Sequence, residues 1–117
     1  MNKNINALYK IAKKETRKII GLMSGTSRDG LDVALCAISG AGENTAVKIL
    51  EFETINYTED VKNEIRKVFA KKTVDFQHFA LLNEWIGILH AGMVNDCLTK
   101  WNIPAQEVDL IASHGQT

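Results

Sequence analysis

The sequence predicts an α/β fold: a three-stranded antiparallel meander, two helices and a further strand returning to the same sheet. Three observations carry this. Up to residue 57 the apolar residues run continuously or alternate, in segments joined by short turns. From residue 58 they recur every three or four positions. A last short apolar run, "DLIASHG" at 109–115, restores the strand pattern.

The first predicted strand is "KIIGLM", 18–23. The second is "DVALCAIS", 32–39, whose unbroken apolar character predicts that both sheet faces are covered. "GAGEN", 40–44, is a two-glycine turn. "AVKILEFETINY", 46–57, sets Lys48, Glu51 and Glu53 among apolar residues, as in a strand with one better-covered face.

A helix is predicted over 58–71, with Val61, Ile65, Val68 and Phe69 on one side. Thr58 is its expected N-cap, and Glu59 and Asp60 lie in its first turn. A longer helix, 75–101, is expected to cross one sheet face through Phe79, Leu82, Trp85 or Ile86, Leu89, Met93, Cys97 and Trp101. Gly87 and Gly92 lower its propensity, which predicts close packing against the sheet. Pro104 marks its end, and 109–113 is expected to join the sheet as a buried strand.

The domain division expected is a basic leader, 1–17, followed by 18–117 as one unit. The leader holds Lys3, Lys10, Lys13, Lys14 and Arg17 against Glu15 alone, and reads as a surface segment with its charges in water. Across 117 residues, 14 basic and 14 acidic side chains cancel, which argues against a nucleic-acid partner. No apolar run is long enough to span a membrane, and no signal peptide is visible, so a cytoplasmic protein without a membrane partner is expected. Cys36 and Cys97 stand among apolar neighbours as reduced thiols.

The stretch "IGLMSGTSRDGLDVAL", 20–35, places three hydroxyls, two glycines, an arginine and an aspartate between two predicted strands. A tight hairpin needs only two or three turn residues. Successive backbone N–H groups in such a turn can converge on an anion, with Ser24, Thr26 and Ser27 as added donors. Asp29 and Asp32 suit a phosphate site only through a hydrated Mg²⁺. The competing reading is an exposed turn whose side chains satisfy local backbone groups. The stretch is not a Walker A motif, because Leu31 stands where lysine is required and a strand follows. As a strand–turn–strand clip it fits the actin-like and sugar-kinase type of ATPase by fold analogy.

"GLMSGTSRDGLD", 21–32, strongly resembles the opening motif of the anhydro-N-acetylmuramic acid kinases, and the resemblance extends over about 18–117. "LLNEWIGILHAGMV", 81–94, and "HGQT", 114–117, agree with it. The resemblance implies an incomplete actin-like (ribonuclease H-like) lobe. It implies a carbohydrate kinase using ATP and Mg²⁺, with 1,6-anhydro-N-acetylmuramic acid as its amino-sugar substrate in peptidoglycan recycling. It assigns ATP binding to Gly25, Thr26, Ser27, Arg28, Asp29, Gly30, Leu31 and Asp32, of which Asp29 and Asp32 would meet the metal through water. Arg28 departs from the family's usual leucine. His114, Gln116 and Thr117 are assigned to substrate binding, His114 having as its alternative a local bond that caps the strand. The general base is expected beyond residue 117.

The competing function class is a non-catalytic nucleotide-binding or structural fragment. A partial lobe exposes an apolar edge or face, so self-association into a homodimer is a further expectation. His78 and His90 lie twelve residues apart without acid or cysteine at ligand spacing, which points away from zinc. Ser24, His114 and Asp109 could be written as a triad, but no nucleophile elbow surrounds Ser24.

Overall fold

In the computed structural model, which describes residues 2–25, 27–69 and 71–116, the change of apolar period falls where the chain leaves the sheet. Strands β1 (Thr16–Ser24), β2 (Gly30–Ser39) and β3 (Ala46–Asn56) form the antiparallel meander. Helices α2 (Glu59–Arg66) and α3 (Phe76–Lys100) follow, and β4 (Leu110–Gln116) returns parallel to β1. The sheet order is β3-β2-β1-β4. Helix α1 (Lys3–Ala12) precedes the sheet.

Strand alternation selects the core. Ile20, Leu22 and Ser24 of β1 and Leu31, Val33 and Leu35 of β2 are buried, each two residues from the last. Val61 and Ile65 of α2 join them in the core, with Leu82, Ile86, Val94, Cys97 and Leu98 of α3. The opposite sheet face carries Met23, Val47, Ile49 and Phe52, all exposed. The expectation that both faces of β2 are covered is therefore corrected. Both core helices pack on one face, and no described residue supplies a layer for the other. A continuous apolar run states what a strand is able to bury, not what packs on it.

Strand β3 has no buried residue, and its better-covered face is limited to half-buried Glu53 and Ile55. The register shifts opposite Leu35 and Cys36, which face Glu51 and Ile49, so Leu50 is the extra residue of a bulge. The bulge explains the apolar doublet Ile49–Leu50: it reverses the parity of the strand and turns Glu53 toward α3, where Lys100 pairs with it at 2.8 Å. Strand β4 is likewise an edge, with six exposed residues and Gln116 half-buried. The buried 109–113 strand is corrected to an exposed one that runs three residues further.

Thr58 caps α2 as predicted, its side chain accepting from Val61 N at 3.4 Å. The helix ends at Arg66 rather than 71, because Val68 N and Phe69 N both bond back to the Ile65 carbonyl. On α3 the core stripe is Leu82, Ile86, His90 and Val94, followed by Cys97 and Leu98. This i, i+4 spacing selects Ile86 over Trp85, which is 37% exposed, and leaves Phe79 exposed. A Cβ at Gly87 or Gly92 would meet nothing within 4 Å, so the close packing expected there is absent among the described residues.

Asp109 ties the leader to the sheet. Its carboxylate accepts from Lys14 Nζ at 2.5 Å and from Lys18 N at 2.9 Å, and its own N–H donates to the Lys18 carbonyl at 2.8 Å. The Lys14 ammonium holds this carboxyl below the ordinary carboxylate range. A depressed folded-state pKa stabilises above the unfolded value, about 3.9, and that contribution is lost as pH falls through the folded value. Asp109→Asn is expected to cost about 1–2 kcal/mol at pH 7. Urea titrations over a falling pH series should show the wild-type advantage in full at pH 7 and shrinking once the pH drops below about 3.9, the unfolded value.

Candidate functional site

Four chain segments meet at one end of the sheet. β1 and β4 are parallel, so their C-terminal ends lie side by side, and Ser24 is in register with Gln116. β2 begins and β3 ends beside them, with Gly30 opposite Asn56. This is the edge of an α/β sheet where ligands are usually held.

The turn between β1 and β2 closes by Arg28 N donating to the Gly25 carbonyl at 3.1 Å. Thr26 and Thr117 lie outside the described residues. Ser27 is exposed and Gly25 half-buried. Arg28 takes φ 57°, a left-handed conformation uncommon for arginine, and its guanidinium stacks on Phe69 at 4.2 Å from the ring centroid. Its Nε is buried with no hydrogen-bond partner among the described residues. Asp29 is exposed, with its carboxylate 3.8 Å from Lys62 Nζ. Its carbonyl accepts from Tyr57 N at 2.7 Å, which fixes the turn to the end of β3.

Gly30 is required sterically, since a Cβ there would stand 2.3 Å from the Ile55 carbonyl oxygen. Leu31 is fully buried, which leaves its backbone alone for any ligand. Asp32 accepts from Thr54 Oγ1 at 2.7 Å on the open sheet face. His114 is exposed on β4, inside the strand rather than at its end.

Behind the turn is a buried polar group that sequence reasoning missed. Ser24 Oγ hydrogen-bonds Gln116 Oε1 and lies 2.7 Å from Tyr57 OH. Tyr57 OH lies 2.7 Å from His90 Nε2, and the two rings stack nearly parallel. Gln116 Nε2 donates to the Gly25 carbonyl at 3.4 Å. Burial holds the His90 pKa below its ordinary value and pushes the Tyr57 phenol up, so both are neutral at pH 7. Ser24, expected as a donor to phosphate, is 1% exposed and bonded internally, which corrects that expectation. The Ser24–His114–Asp109 grouping also fails, because Asp109 lies beside Lys18 at the other end of β1. His90 was legible in principle: it sits four residues from Ile86 and from Val94, on the stripe that α3 buries.

A cleft of about 750 Å³ opens between α2, α3 and the ends of β1 and β4. Its polar lining is Asn83, His90, Ser113 and Gln116, with no carboxylate among the described lining residues. Among the described residues no cluster of three His, Cys, Asp or Glu side chains could hold a metal ion. Mg²⁺ keeps most of its waters and needs only one or two carboxylates, so exposed Asp29 fits a water-mediated contact and not a direct cage.

A three-stranded antiparallel meander leading through two helices to a strand parallel with the first is the opening of an actin-like α/β lobe, here incomplete. The chain belongs to the anhydro-N-acetylmuramic acid kinase family, whose sequence profile matches residues 17–117. It is 58% identical over its whole length to an anhydro-N-acetylmuramic acid kinase of Pseudoalteromonas atlantica, and 50% identical to one of Pseudoalteromonas translucida, covering 29% of each. A relative of the same name from Caldanaerobacter subterraneus is 39% identical over 113 residues, 97% of this chain and 28% of the relative. The chain thus spans less than a third of the length of these curated relatives. No helix among the described residues is long and apolar enough to cross a membrane.

Proposed function

We propose that residues 25–32 and 114–117 form the phosphate end of a kinase site that phosphorylates 1,6-anhydro-N-acetylmuramic acid from ATP, with water opening the anhydro ring. The observation that carries this reading is the placement of the turn beside Gln116, whose amide reaches the Gly25 carbonyl at 3.4 Å. This closeness supports a shared ligand position for the two motif stretches. Backbone N–H groups of the turn and the Ser27 hydroxyl would donate to phosphate oxygens, as would Thr26 from the same stretch. Mg²⁺, when bound, would neutralise charge developing on the phosphates, and Asp29 and Asp32 would hold it through its waters. His114 and Thr117 would line the sugar side. The general base on water would come from chain beyond these residues.

Isothermal titration calorimetry of the full-length protein with Mg²⁺ and a non-hydrolysable ATP analogue tests the reading. Among the described residues a Cβ at Gly25 would meet only the flexible Met23 Cε, at 3.7 Å, so Gly25→Val is expected to fold and to add bulk at the proposed phosphate position. Affinity is expected to fall about tenfold or more in Gly25→Val and in Asp29→Asn, the latter only with Mg²⁺ present. Unchanged affinity in both variants would leave the turn an ordinary exposed connection.

A further inference from the structure

The hydrogens of the buried polar group can be placed by counting. Ser24 and Tyr57 carry one hydroxyl hydrogen each, and Gln116 Oε1 can only accept. The contact from Ser24 Oγ to Gln116 Oε1 is the closest in the group, so it takes the serine hydrogen; the Gly30 carbonyl, 3.3 Å away, is the weaker acceptor. The 2.7 Å contact between Ser24 and Tyr57 then needs the tyrosine hydrogen, for which Gln116 Oε1, 3.2 Å away, is the weaker acceptor. The 2.7 Å contact between Tyr57 and His90 therefore needs a hydrogen on His90 Nε2. Reversing the chain would leave Ser24 Oγ and Gln116 Oε1 pressed together with no hydrogen between them. Turning the Gln116 amide over would set its oxygen against the Gly25 carbonyl.

We propose that His90, as the Nε2–H tautomer, starts a one-way hydrogen-bond chain through Tyr57, Ser24 and Gln116 to the Gly25 carbonyl. This chain makes His90 and Tyr57 positioning residues for the ligand end of the sheet. The chain ties α3 and the end of β3 to the last residues of β1 and β4, so it fixes the spacing of the two segments that emerge there. Neither His90 nor Tyr57 needs to touch substrate. Their role in turnover rests on the kinase reading above; the tautomer does not.

The tautomer is read directly by two-bond ¹⁵N–¹H correlation spectra of the full chain labelled at histidine. Within residues 1–117 the histidines are His78, His90 and His114, and loss of a signal on substituting each one assigns it. The expected result is a neutral His90 protonated at Nε2. Protonation at Nδ1 with Nε2 bare overturns the chain.

In the full-length protein, Tyr57→Phe and His90→Leu are expected to lower kcat about 10- to 100-fold, with KM for nucleotide and sugar changed less than about threefold. His90→Gln, which keeps an N–H near the Nε2 position, should recover most of the loss. A Tyr57→Phe protein with wild-type thermal midpoint and wild-type kcat overturns the positioning role. So does a kcat loss in His90→Gln equal to that in His90→Leu. A wild-type full-length protein with no turnover overturns the kinase reading instead. In that event the amide shifts of Gly25 and Gln116 decide: movement in Tyr57→Phe upholds the chain, and unmoved shifts overturn it.

Discussion

Gly30→Ala is expected to destabilise the fold by about 3 kcal/mol, near the upper end of the cost of overpacking. The added Cβ would lie 2.3 Å from the Ile55 oxygen, 3.0 Å from the Ile55 carbonyl carbon and 3.1 Å from Asn56 Cα. All three are backbone atoms, so no side-chain rotation relieves the clash, and β2 must move away from β3. That movement also strains the 2.7 Å bond from Tyr57 N to the Asp29 carbonyl, which carries the turn. Against a total stability of about 5–15 kcal/mol, the loss is large. Urea denaturation should show a clearly lowered midpoint, and nucleotide-analogue binding at 25 °C should weaken with it. Gly25→Ala is the control, within about 0.5 kcal/mol of wild type, because among the described residues its Cβ would meet only the flexible end of Met23 at 3.7 Å. Equal midpoints for the two variants would refute the steric argument.

Gly30 also shows how sequence and structure divide the information. That a glycine stood in a polar turn between two apolar strands was legible at once. That the adjacent strand, and not a ligand, makes the glycine necessary was not, because the constraint comes from Ile55, 25 positions along the chain. Local pattern is informative where it depends on neighbours in sequence: the three strands, the Thr58 cap and the onset of α3 all follow from it. It is uninformative where packing decides. Trp85 and Ile86 are adjacent and both apolar, and only the angular position of the stripe determines which enters the core. The bulge at Leu50 is likewise set by pairing with β2.

The site divides in the same way. The turn and Gln116 were visible as motif stretches, whereas the buried group behind them is completed by Tyr57 and His90, whose side chains converge only after α3 packs on the sheet. A histidine twelve residues from the next carried no ligand signal, and its position on the buried stripe was the clue. Arg28 remains a departure with a local physical account: its guanidinium stacks on Phe69 rather than pointing freely to water.

Residues 1–117 alone are expected to form no detectable 6-phosphate from ATP and the anhydro-sugar. The reason is the composition of the cleft. Water attacking an anomeric carbon must lose a proton, and a positioned carboxylate that takes it is worth about 10²–10⁴ in rate. The described lining of the 750 Å³ cleft offers an amide, an imidazole held by Tyr57, a hydroxyl and a second amide, but no carboxylate. Asp29 pairs with Lys62 and Asp32 with Thr54, so neither is aimed into that space. In-line phosphoryl transfer also needs both reactants held and the phosphate charge compensated from more than one side. A chimera joining residues 1–117 to the remainder of the Pseudoalteromonas atlantica relative, 58% identical over this span, adds the length of that relative beyond the 29% that this chain covers. It is expected to turn over at least about 10³-fold faster than the 117-residue chain, measured by phosphate transfer from labelled ATP to the sugar. Comparable rates for the two proteins would mean that the base and the second wall of the site already lie within these residues, and the reading of the cleft would have to be abandoned.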